Sequence, residues 1–260
     1  MTTACNIGFI GLGQMATALA SGFLRAGLVS PERLFGFDVS SDAAARFAST
    51  TGATLCADAV ETVAKADVVF FAVKPQYMGA ALEPVRAALA PEKDIDGITE
   101  MSLAGVFTGS GIGYCPCTAE ACTEILDYYG IDCTGKKAAV IGRSLVIGKP
   151  AAMLLLKKNA TVTVCHTRTA DLAAETTRAD IIIVSAGHAK AISAEHLAAG
   201  QTVIDVGINT DENGKMCGDV DFAAAESIVG AVTPVPGGVG TVTTAVLIKH
   251  VTEAALKSLI

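Results

Sequence analysis

Short apolar runs alternate with longer, alanine-rich segments along most of the chain. The runs are rich in β-branched and aromatic residues and contain few polar positions, as strands buried on both faces of a sheet do. They predict strands at Ile7–Gly11, Leu34–Asp38, Val68–Val73, Ala138–Gly142, Thr161–Cys165, Ile181–Ser185 and Val203–Val206. The other segments predict helices at Met15–Ala26, Asp42–Thr50, Asp58–Ala66, Tyr77–Leu89, Ala119–Tyr129, Lys149–Lys158, Leu172–Ala179 and Val242–Leu259. This alternation indicates an α/β fold with mostly parallel sheets covered by helices.

A polar break divides this pattern into two parts. The break is the run Ala90–Asp94, and a glycine-rich segment that is poor in strands, Gly97–Gly113, follows it. Each part has its own glycine-rich turn directly after a strand. We therefore expect two tandem Rossmann-like units, one over residues 1–89 and the other over residues 90–260.

The composition excludes several classes of protein. Of 260 residues, 51% are hydrophobic and 17% are charged, which rules out a disordered chain. The 19 Lys and Arg against 26 Asp and Glu give a net charge of −7, so we expect neither nucleic acid nor an anionic membrane as a partner. Eight cysteines in a chain of this length indicate reduced thiols in the cytoplasm. Cys115 and Cys117 form one close pair without a second pair, so we expect no metal.

Residues 1–24 contain no charged side chain, a pattern shared with signal peptides and membrane spans. Gln14, the four glycines of this segment and the lack of basic residues near its start favour instead a tight turn between a strand and a helix. We therefore expect a cytoplasmic protein without a membrane anchor.

The first glycine-rich turn, Gly11–Ala16, follows a predicted strand and opens a helix. Gly11 allows the tight turn, Gly13 allows close approach of the backbone, and the helix N-terminus offers free N–H groups to a dinucleotide pyrophosphate. Asp38, at the end of the second strand, could accept a hydrogen bond from an adenosine ribose, which would favour NAD over NADP. The alternative is a glycine turn that only packs the helix on the strand.

The second glycine-rich turn begins at Gly142. Five residues separate its two glycines and a proline follows its Gly-Lys pair, so it is not an ATP-binding P-loop. Arg143 and Arg168 follow two successive strands and could converge on a phosphate. The hydroxyls of Ser144 and Thr167 stand beside them. The alternative is that both arginines are solvated surface residues.

The third turn, Thr233–Gly240, combines two prolines with three glycines between a short strand and the last helix. Such a loop is rigid, and its glycines allow close contact with a ring. We interpret it as the wall of a ligand site. Of the histidines, His166 and His188 follow strands and could contact a nucleotide, whereas we interpret His196 and His250 as helix residues that face solvent.

Two family resemblances are visible in these motifs. Residues 1–89 resemble the amino-terminal, nucleotide-binding part of pyrroline-5-carboxylate reductase, through Ile7–Ala16 and Val69–Gln76. Residues from about 90 to 260 resemble the carboxy-terminal part of bifunctional methylenetetrahydrofolate dehydrogenase/cyclohydrolase. The segments that carry the second resemblance are Lys93–Gly97, Pro116–Thr118, Gly142–Ser144, Asp205–Asn209, Gly218–Phe222 and Pro234–Gly240. The chain therefore resembles a chimera.

The second resemblance implies a cofactor, NADP, and a folate substrate. It implies that Asp96 contacts the pteridine ring, unless this carboxylate only caps the turn at Gly97. The loop that lines the folate and nicotinamide cleft in that family corresponds here to Pro236, Gly237 and Gly238, with Thr241 where the family usually has Pro. The residues that would hold NADP are Gly142, Arg143, Ser144, Thr167, Arg168 and Ile208.

The same resemblance identifies what residues 1–89 lack. The folate family has a catalytic Tyr and Lys at Tyr-x-x-x-Lys spacing on one helix of its amino-terminal lobe, where the Lys can activate the folate carbon centre. Tyr77, the one Tyr of residues 1–89, is followed four residues later by Ala81. Lys74 is the substitute we name, with Lys65 as a second candidate, unless both are solvated or packing residues. The helical domain that holds the pyrroline site and the dimer interface of the reductase family is also absent.

Three functional hypotheses remain. The chain is an NADP-dependent methylenetetrahydrofolate dehydrogenase/cyclohydrolase with impaired turnover, a pyrroline-5-carboxylate reductase-like oxidoreductase, or a nucleotide-binding fusion without catalysis. The first glycine turn adds NAD as a second candidate cofactor. A homodimer stays open as the form of assembly.

Overall fold

The computed structural model describes residues 5–86 and 89–257. The chain divides into two units, Met1–Ala90 and Pro91–Ile260, called unit 1 and unit 2 below, and each is described by itself. Each unit contains a parallel sheet with helices packed against it. The predicted α/β class with two Rossmann-like units is therefore confirmed.

Unit 1 is built around a four-stranded parallel sheet. Its strands are β1 (Ile7–Ile10), β2 (Leu34–Phe37), β3 (Thr54–Leu55) and β4 (Val68–Phe71), in the order β3-β2-β1-β4. Its helices are α1 (Gln14–Arg25), α2 (Ser41–Thr51), α3 (Ala59–Lys65) and α4 (Met78–Leu82). The chain continues from β1 to β2 on one side and returns to β4 on the other. The carboxyl end of β1 therefore lies at the switch point where such sheets bind ligands.

Aromatic rings form the core of unit 1. Phe9 in β1 is fully buried, stacks on Phe70 with ring centroids 5.2 Å apart, and lies 5.6 Å from the ring of Phe47 in α2. Aromatic pairs at such distances stabilise a core beyond the area that they bury. These contacts hold α2 against β1 and β4.

Unit 2 contains a five-stranded parallel sheet. Its strands are β5 (Lys137–Ile141), β6 (Thr161–Cys165), β7 (Ile181–Val184), β8 (Thr202–Asp205) and β11 (Ala231–Val232), in the order β11-β8-β7-β5-β6. β9 (Asn209–Thr210) and β10 (Met216–Cys217) form a separate antiparallel pair. The helices are α5 (Glu100–Thr108), α6 (Cys117–Tyr128), α7 (Gly148–Lys157), α8 (Leu172–Thr177), α9 (Phe222–Glu226) and α10 (Val239–Lys257).

The central strands of unit 2 are buried on both faces. In β7, Ile181 and Ile183 belong to the core beneath α6, α7 and α10, whereas Ile182 and Val184 belong to the core on the opposite face. Side chains alternate between the faces of a strand, so two buried faces require an uninterrupted apolar run. This is why the central strands could be read directly from the sequence.

The seven predicted strands are all present, and Thr161–Cys165 has the predicted bounds. Several others end one or two residues before the prediction. The reason is clearest at Gly11 and Gly142, where φ is +90° and +113° and the chain leaves the extended conformation. The short strands β3, β9 and β10 were not predicted, because two residues carry no periodic signal.

Two helix predictions need correction. The predicted helix Tyr77–Leu89 is wrong in length: α4 ends at Leu82, because Pro84 cannot donate the backbone hydrogen bond that a longer helix needs. Residues 87–88 of that prediction, and residues 258–259 of the last predicted helix, lie outside the described residues. The glycine-rich segment Gly97–Gly113 contains α5, a helix that was not predicted.

Helix α5 begins on a buried carboxylate. Asp94 accepts hydrogen bonds from the Thr99 backbone N–H at 2.7 Å and the Ser102 hydroxyl at 2.6 Å, and Thr99 caps the helix by accepting from the Ser102 N–H at 3.3 Å.

Within residues 5–86 and 89–257, no helix combines the length and the hydrophobicity needed to cross a bilayer.

We expect Phe9→Ala to lower the free energy of unfolding of unit 1 by about 3–5 kcal/mol, because it removes a ring that three neighbouring aromatic side chains enclose. Urea unfolding followed by circular dichroism measures the change. Val39→Ala is the matched control, since Val39 is 94% exposed, and should change stability by less than about 0.5 kcal/mol. Equal effects of the two substitutions would contradict this account of the core.

Candidate functional site

A tightly packed turn lies at the carboxyl end of β5 in unit 2. The Gly142 N–H donates to the Cys165 carbonyl of β6 at 2.9 Å, and a Cβ on Gly142 would collide with Ser185, which follows β7. A Cβ on Gly148, at the start of α7, would collide with the Gly142 carbonyl. Glycines at both positions therefore let the first turn of α7 approach the ends of three adjacent strands.

Ser144 caps this turn. Its hydroxyl oxygen accepts from the backbone N–H groups of Ile147 at 3.1 Å and Gly148 at 3.4 Å. The role of Ser144 is thus first of all to hold the entry to α7, and its own O–H remains as a donor toward a ligand. The N–H groups of residues 143–146 make no hydrogen bond within the described residues, so these groups and the dipole of α7 are what this turn offers to an anion.

Arg143, Thr167 and Arg168 are exposed at the ends of the paired strands β5 and β6. Within the described part of the chain, neither arginine side chain has a hydrogen-bonding or ionic partner. The Arg168 N–H donates to His166 Nδ1 at 3.1 Å, and the His166 N–H donates to the Thr169 hydroxyl at 2.9 Å, so a tight local turn holds this segment. The structure places both cations at one edge of the sheet; a bound phosphate there stays a prediction.

A cavity of about 210 Å³ lies at the same edge, between the end of β8 and the loop before α10. Gly237, with φ of +95°, and Gly240 border open space, since a Cβ at either position would meet no atom within 4 Å. Gly238 differs, because a Cβ there would collide with the Pro234 carbonyl. Ile208 lines the cavity with 71% of its surface exposed. The cavity thus has a backbone wall, and the exposed apolar side chains of Ile208 and Met216 are free to contact a flat ring.

Two buried carboxylates hold the loops around this cavity, and neither was singled out from the sequence. Asp205 accepts from the N–H groups of Gly207 at 2.9 Å, Asp219 at 3.0 Å and Val220 at 2.9 Å. Asp219, which is fully buried, accepts from the Gly187 N–H at 2.9 Å and from a side-chain amide at 2.8 Å. Both residues lie in motifs that carried the family resemblance, but their role became visible only with the hydrogen bonds.

Burial raises the pKa of Asp205, and the neighbouring charge of Asp219 adds to this effect, while the three backbone N–H groups oppose it. Because the pKa is raised, Asp205 contributes most to the free energy of unfolding in acid, where its carboxyl group is protonated. This contribution decreases as the pH rises through the raised folded-state pKa. The backbone hydrogen bonds are what make the ionised form tolerable inside the protein.

Asp96 lies at the turn before α5 and is exposed. Its carboxylate accepts from Cys117, and desolvation by the surrounding protein, with a contribution from Asp94, raises its pKa. Gly97 has φ of +65° and packs directly on the backbone before Cys117. Asp96 therefore projects from a turn that its neighbours hold firmly, and its contact with a pteridine ring stays a prediction.

Cysteines near this turn are protonated thiols. Burial raises the pKa of Cys115 and of Cys122 to about 12, and the pKa of Cys117 is raised further by burial and by Asp96. In the residues that the structure describes, no group of three or more His, Cys, Asp or Glu side chains is arranged to hold a metal ion.

The expectation that His250 faces solvent is wrong. His250 lies in α10, is only 2% exposed, and packs between α6 and the segment that contains Asp96. Helical position alone suggested exposure, but α10 packs along α6 and buries this face. His196 is half-buried rather than solvent-facing, and its Nδ1 accepts from the Ser193 N–H at 3.2 Å.

Unit 1 has its own glycine turn. Gly11 packs on Val73 and the backbone of Ala72, so a side chain could not replace it, whereas Gly13 borders open space. Gly13 precedes α1, and no side chain caps this helix. The first turn of α1 therefore presents its backbone N–H groups next to an unfilled surface, as an anion site requires.

Asp38 is used by the fold of unit 1 itself. One carboxylate oxygen accepts from the Leu12 N–H at 2.6 Å, and the other accepts from the Ser40 N–H at 2.8 Å. Asp38 therefore ties the glycine turn to the start of α2. Each oxygen keeps a further lone pair, so its contact with a ribose stays a prediction.

Neither candidate lysine of unit 1 is built into a catalytic cluster. Lys74 follows β4 with an exposed side chain, and this side chain makes no hydrogen bond or ion pair within residues 5–86 and 89–257. Lys65 pairs with Glu61 on the same helix at 2.7 Å. This ion pair therefore gives Lys65 a structural role on the surface of α3, which is the alternative to a catalytic role.

Two parallel sheets, each with a glycine turn that opens a helix at the sheet's switch point, define the class of dinucleotide-binding Rossmann domains. The family model for the tetrahydrofolate dehydrogenase/cyclohydrolase NAD(P)-binding domain matches residues 116–259. This match, together with the relatives described next, shows that the chain belongs to the tetrahydrofolate dehydrogenase/cyclohydrolase family. A second model, for the coenzyme F420-dependent NADP oxidoreductases, matches residues 6–96.

Named relatives agree with this assignment. The bifunctional protein FolD of Clostridium botulinum (strain 657 / Type Ba4) is 47% identical over 188 residues, which cover 72% of this chain and 66% of the relative. FolD of Carboxydothermus hydrogenoformans is 48% identical over 200 residues, which cover 75% of this chain and 69% of the relative. The matched part of the chain thus spans about two thirds of the length of these relatives.

Solved structures show the same likeness. The FolD methylenetetrahydrofolate dehydrogenase/cyclohydrolase of Campylobacter jejuni has a TM-score of 0.75 and 28% identity, and the match covers 97% of this chain and 88% of that one. FolD of Trypanosoma brucei, solved with NADP and an inhibitor, has a TM-score of 0.72 and 28% identity over 98% of this chain and 88% of that one. The predicted resemblance of the larger part of the chain to the folate family is confirmed.

Proposed function

We propose that unit 2 binds NADP and a folate, and that the chain is a methylenetetrahydrofolate dehydrogenase/cyclohydrolase with low or absent turnover. The observation that carries this proposal is the shared edge of the unit 2 sheet. There, two exposed arginines, the N-terminus of α7 and the cavity of about 210 Å³ lie at the carboxyl ends of neighbouring strands.

The phosphate groups of the nucleotide fit the first half of this edge. The turn after Gly142 would receive the pyrophosphate on the backbone N–H groups of residues 143–146, which make no hydrogen bond in the described part of the chain, and the dipole of α7 would add to the attraction. Arg143 and Arg168, which have no other charged partner in the described residues, would bind the 2′-phosphate together with the Thr167 hydroxyl. This arrangement favours NADP over NAD.

The cavity fits the nicotinamide ring. A bound NADP would supply a ring that accepts a hydride from the substrate. Gly237 and Gly240 leave room along the cavity wall, and Ile208 offers an apolar face for stacking. Asp205 accepts from the Gly207 N–H and Asp219 accepts from the Asn209 amide, so the two carboxylates hold the residues on either side of Ile208. Asp96 would accept hydrogen bonds from the N–H groups of the folate ring.

Low turnover follows from a residue pattern that the chain lacks. None of its four tyrosines is followed four residues later by Lys, so the Tyr-x-x-x-Lys helix of the family has no counterpart. Lys74 is the one substitute that we name. Loss of a positioned acid/base group costs about 10²–10⁴-fold in rate. Binding and catalysis are therefore separated in this chain.

A second candidate function, nucleotide binding by unit 1, is favoured by the open surface at Gly13 and the uncapped N-terminus of α1. Asp38 would favour NAD at this turn. Such a site would make unit 1 a reductase-like domain, as the resemblance to pyrroline-5-carboxylate reductase suggests, although the catalytic domain of that family has no counterpart in the sequence.

We expect Arg143→Ala to weaken NADP binding by about 1.5–3 kcal/mol and to leave NAD binding nearly unchanged, because only NADP carries the 2′-phosphate. Isothermal titration calorimetry with both nucleotides measures the difference. Arg178→Ala is the control, since Arg178 pairs with Glu175 on α8 away from the cavity. Equal losses for NADP and NAD would argue against the phosphate role of Arg143.

We expect NADP reduction with methylenetetrahydrofolate to be at least about 10²–10⁴-fold slower than for a relative assayed in parallel, because the positioned acid/base pair is missing. Absorbance of NADPH at high enzyme concentration measures it, and Lys74→Ala tests whether any residual rate depends on Lys74. NADPH oxidation with pyrroline-5-carboxylate tests the reductase alternative. Rates equal to those of the relative would show that residues 1–89 supply working catalytic groups.

We expect Gly13→Val to abolish one of two nucleotide sites per chain, namely the NAD-preferring one, because the new side chain fills the surface next to the α1 N-terminus. The number of nucleotides bound, measured by calorimetry, is the readout. Gly22→Ala is the control, since it also adds a side chain to open space but within α1. One nucleotide per unchanged chain would rule out a site in unit 1.

A further inference from the structure

A buried histidine of the last helix touches the peptide that precedes Asp96. His250 Nδ1 lies 2.8 Å from the Ile95 carbonyl oxygen, and Nε2 lies 3.0 Å from Glu120 Oε2 on α6. A carbonyl and a carboxylate are both acceptors, so each ring nitrogen must donate. His250 in this geometry therefore carries both protons and links α6 to the Asp96 turn.

The surroundings of the ring agree with a charged histidine. Glu120 accepts both from His250 and, at 3.0 Å, from Lys249, and the same lysine bridges to Glu124 at 2.8 Å. Burial alone would lower the pKa of His250, but the hydrogen bonds to Glu120 and to the Ile95 carbonyl outweigh it, and the pKa is raised. The titratable or charged groups that face the ring or influence its charge are Glu120, Cys117, Asp96, Tyr114 and Glu253, with Lys257 above the Tyr114 ring.

The link reaches Asp96 along two routes. The first is the backbone, because the Ile95 carbonyl belongs to the peptide bond that leads into Asp96. The second is Cys117, whose thiol lies 3.5 Å from His250 Nδ1 and donates to the Ile95 carbonyl at 3.4 Å, while its backbone N–H faces the Asp96 carboxylate. A change in the charge of His250 therefore alters both supports of the Asp96 turn.

We propose that doubly protonated His250 is a positioning residue, which ties the Ile95–Asp96 peptide to helix α6 and so orients the Asp96 carboxylate for the folate ring. This inference rests on the proposed function and extends it to a residue outside the cavity. Loss of a ring proton leaves Glu120 or the Ile95 carbonyl without its donor. The link is therefore complete below the raised pKa of His250 and is lost as the pH rises through it.

The test follows His250 and Asp96 separately in the full chain by nuclear magnetic resonance. We expect the His250 ring signal and the Asp96 backbone amide to titrate with one shared midpoint, above the ordinary histidine value of about 6.5. In His250→Gln the Asp96 amide should no longer titrate in this range. In Glu120→Gln, which keeps the ring, both midpoints should fall together. An Asp96 amide that ignores the titration of His250 would overturn the proposal.

Tetrahydrofolate binding, measured by calorimetry at pH 7, provides the second readout. We expect the Kd of His250→Gln to rise about tenfold, with NADP binding unchanged, and His196→Gln to behave like the unchanged chain. An unaltered Kd in His250→Gln would overturn the orienting role. No tetrahydrofolate binding by the unchanged chain would contradict the proposed function instead, and the shared midpoint would still decide whether His250 holds the Asp96 turn.

Discussion

The candidate site of unit 2 depends on two buried carboxylates that have backbone N–H groups as partners. Asp205 gathers three of these donors and Asp219 gathers one, together with a side-chain amide. A carboxylate inside a protein is costly unless donors replace its water. Here that requirement fixes the positions of the three chain segments that supply the donors. These hydrogen bonds, together with the β9–β10 pairing, hold the chain segments beside the cavity and Ile208.

The sequence predicted the framework of the fold well, because each central strand has two buried faces and reads as an uninterrupted apolar run. It also predicted the glycine turns, since positive φ at Gly11 and Gly142 leaves little choice of residue. Helix α5 was not predicted, because its start depends on Asp94, which accepts a hydrogen bond from Ser102, eight residues further along the chain. The burial of His250 depends on contacts 130 and more residues away, which no local pattern contains.

Membership of a family and performance of its reaction are different properties of this chain. The nucleotide-binding architecture resides in unit 2, where glycines, arginines and the cavity share one edge of a sheet. The acid/base helix belongs to another part of the family's chain, and residues 1–89 resemble a different nucleotide-binding domain instead. Because a site can be carried or lost independently of the fold beneath it, belonging to this family does not by itself establish that the chain performs the family's reaction.

The protonated thiols beside the Asp96 turn have a consequence for the chemical durability of the protein. Oxidants and alkylating reagents attack the thiolate, and burial raises the pKa of these two thiols far above the ordinary value, so that very little thiolate forms at pH 7. Cys115 and Cys122 are therefore nearly inert, although they belong to a chain with eight cysteines. The region around the turn should keep its shape through oxidative episodes that modify more accessible sulfur atoms.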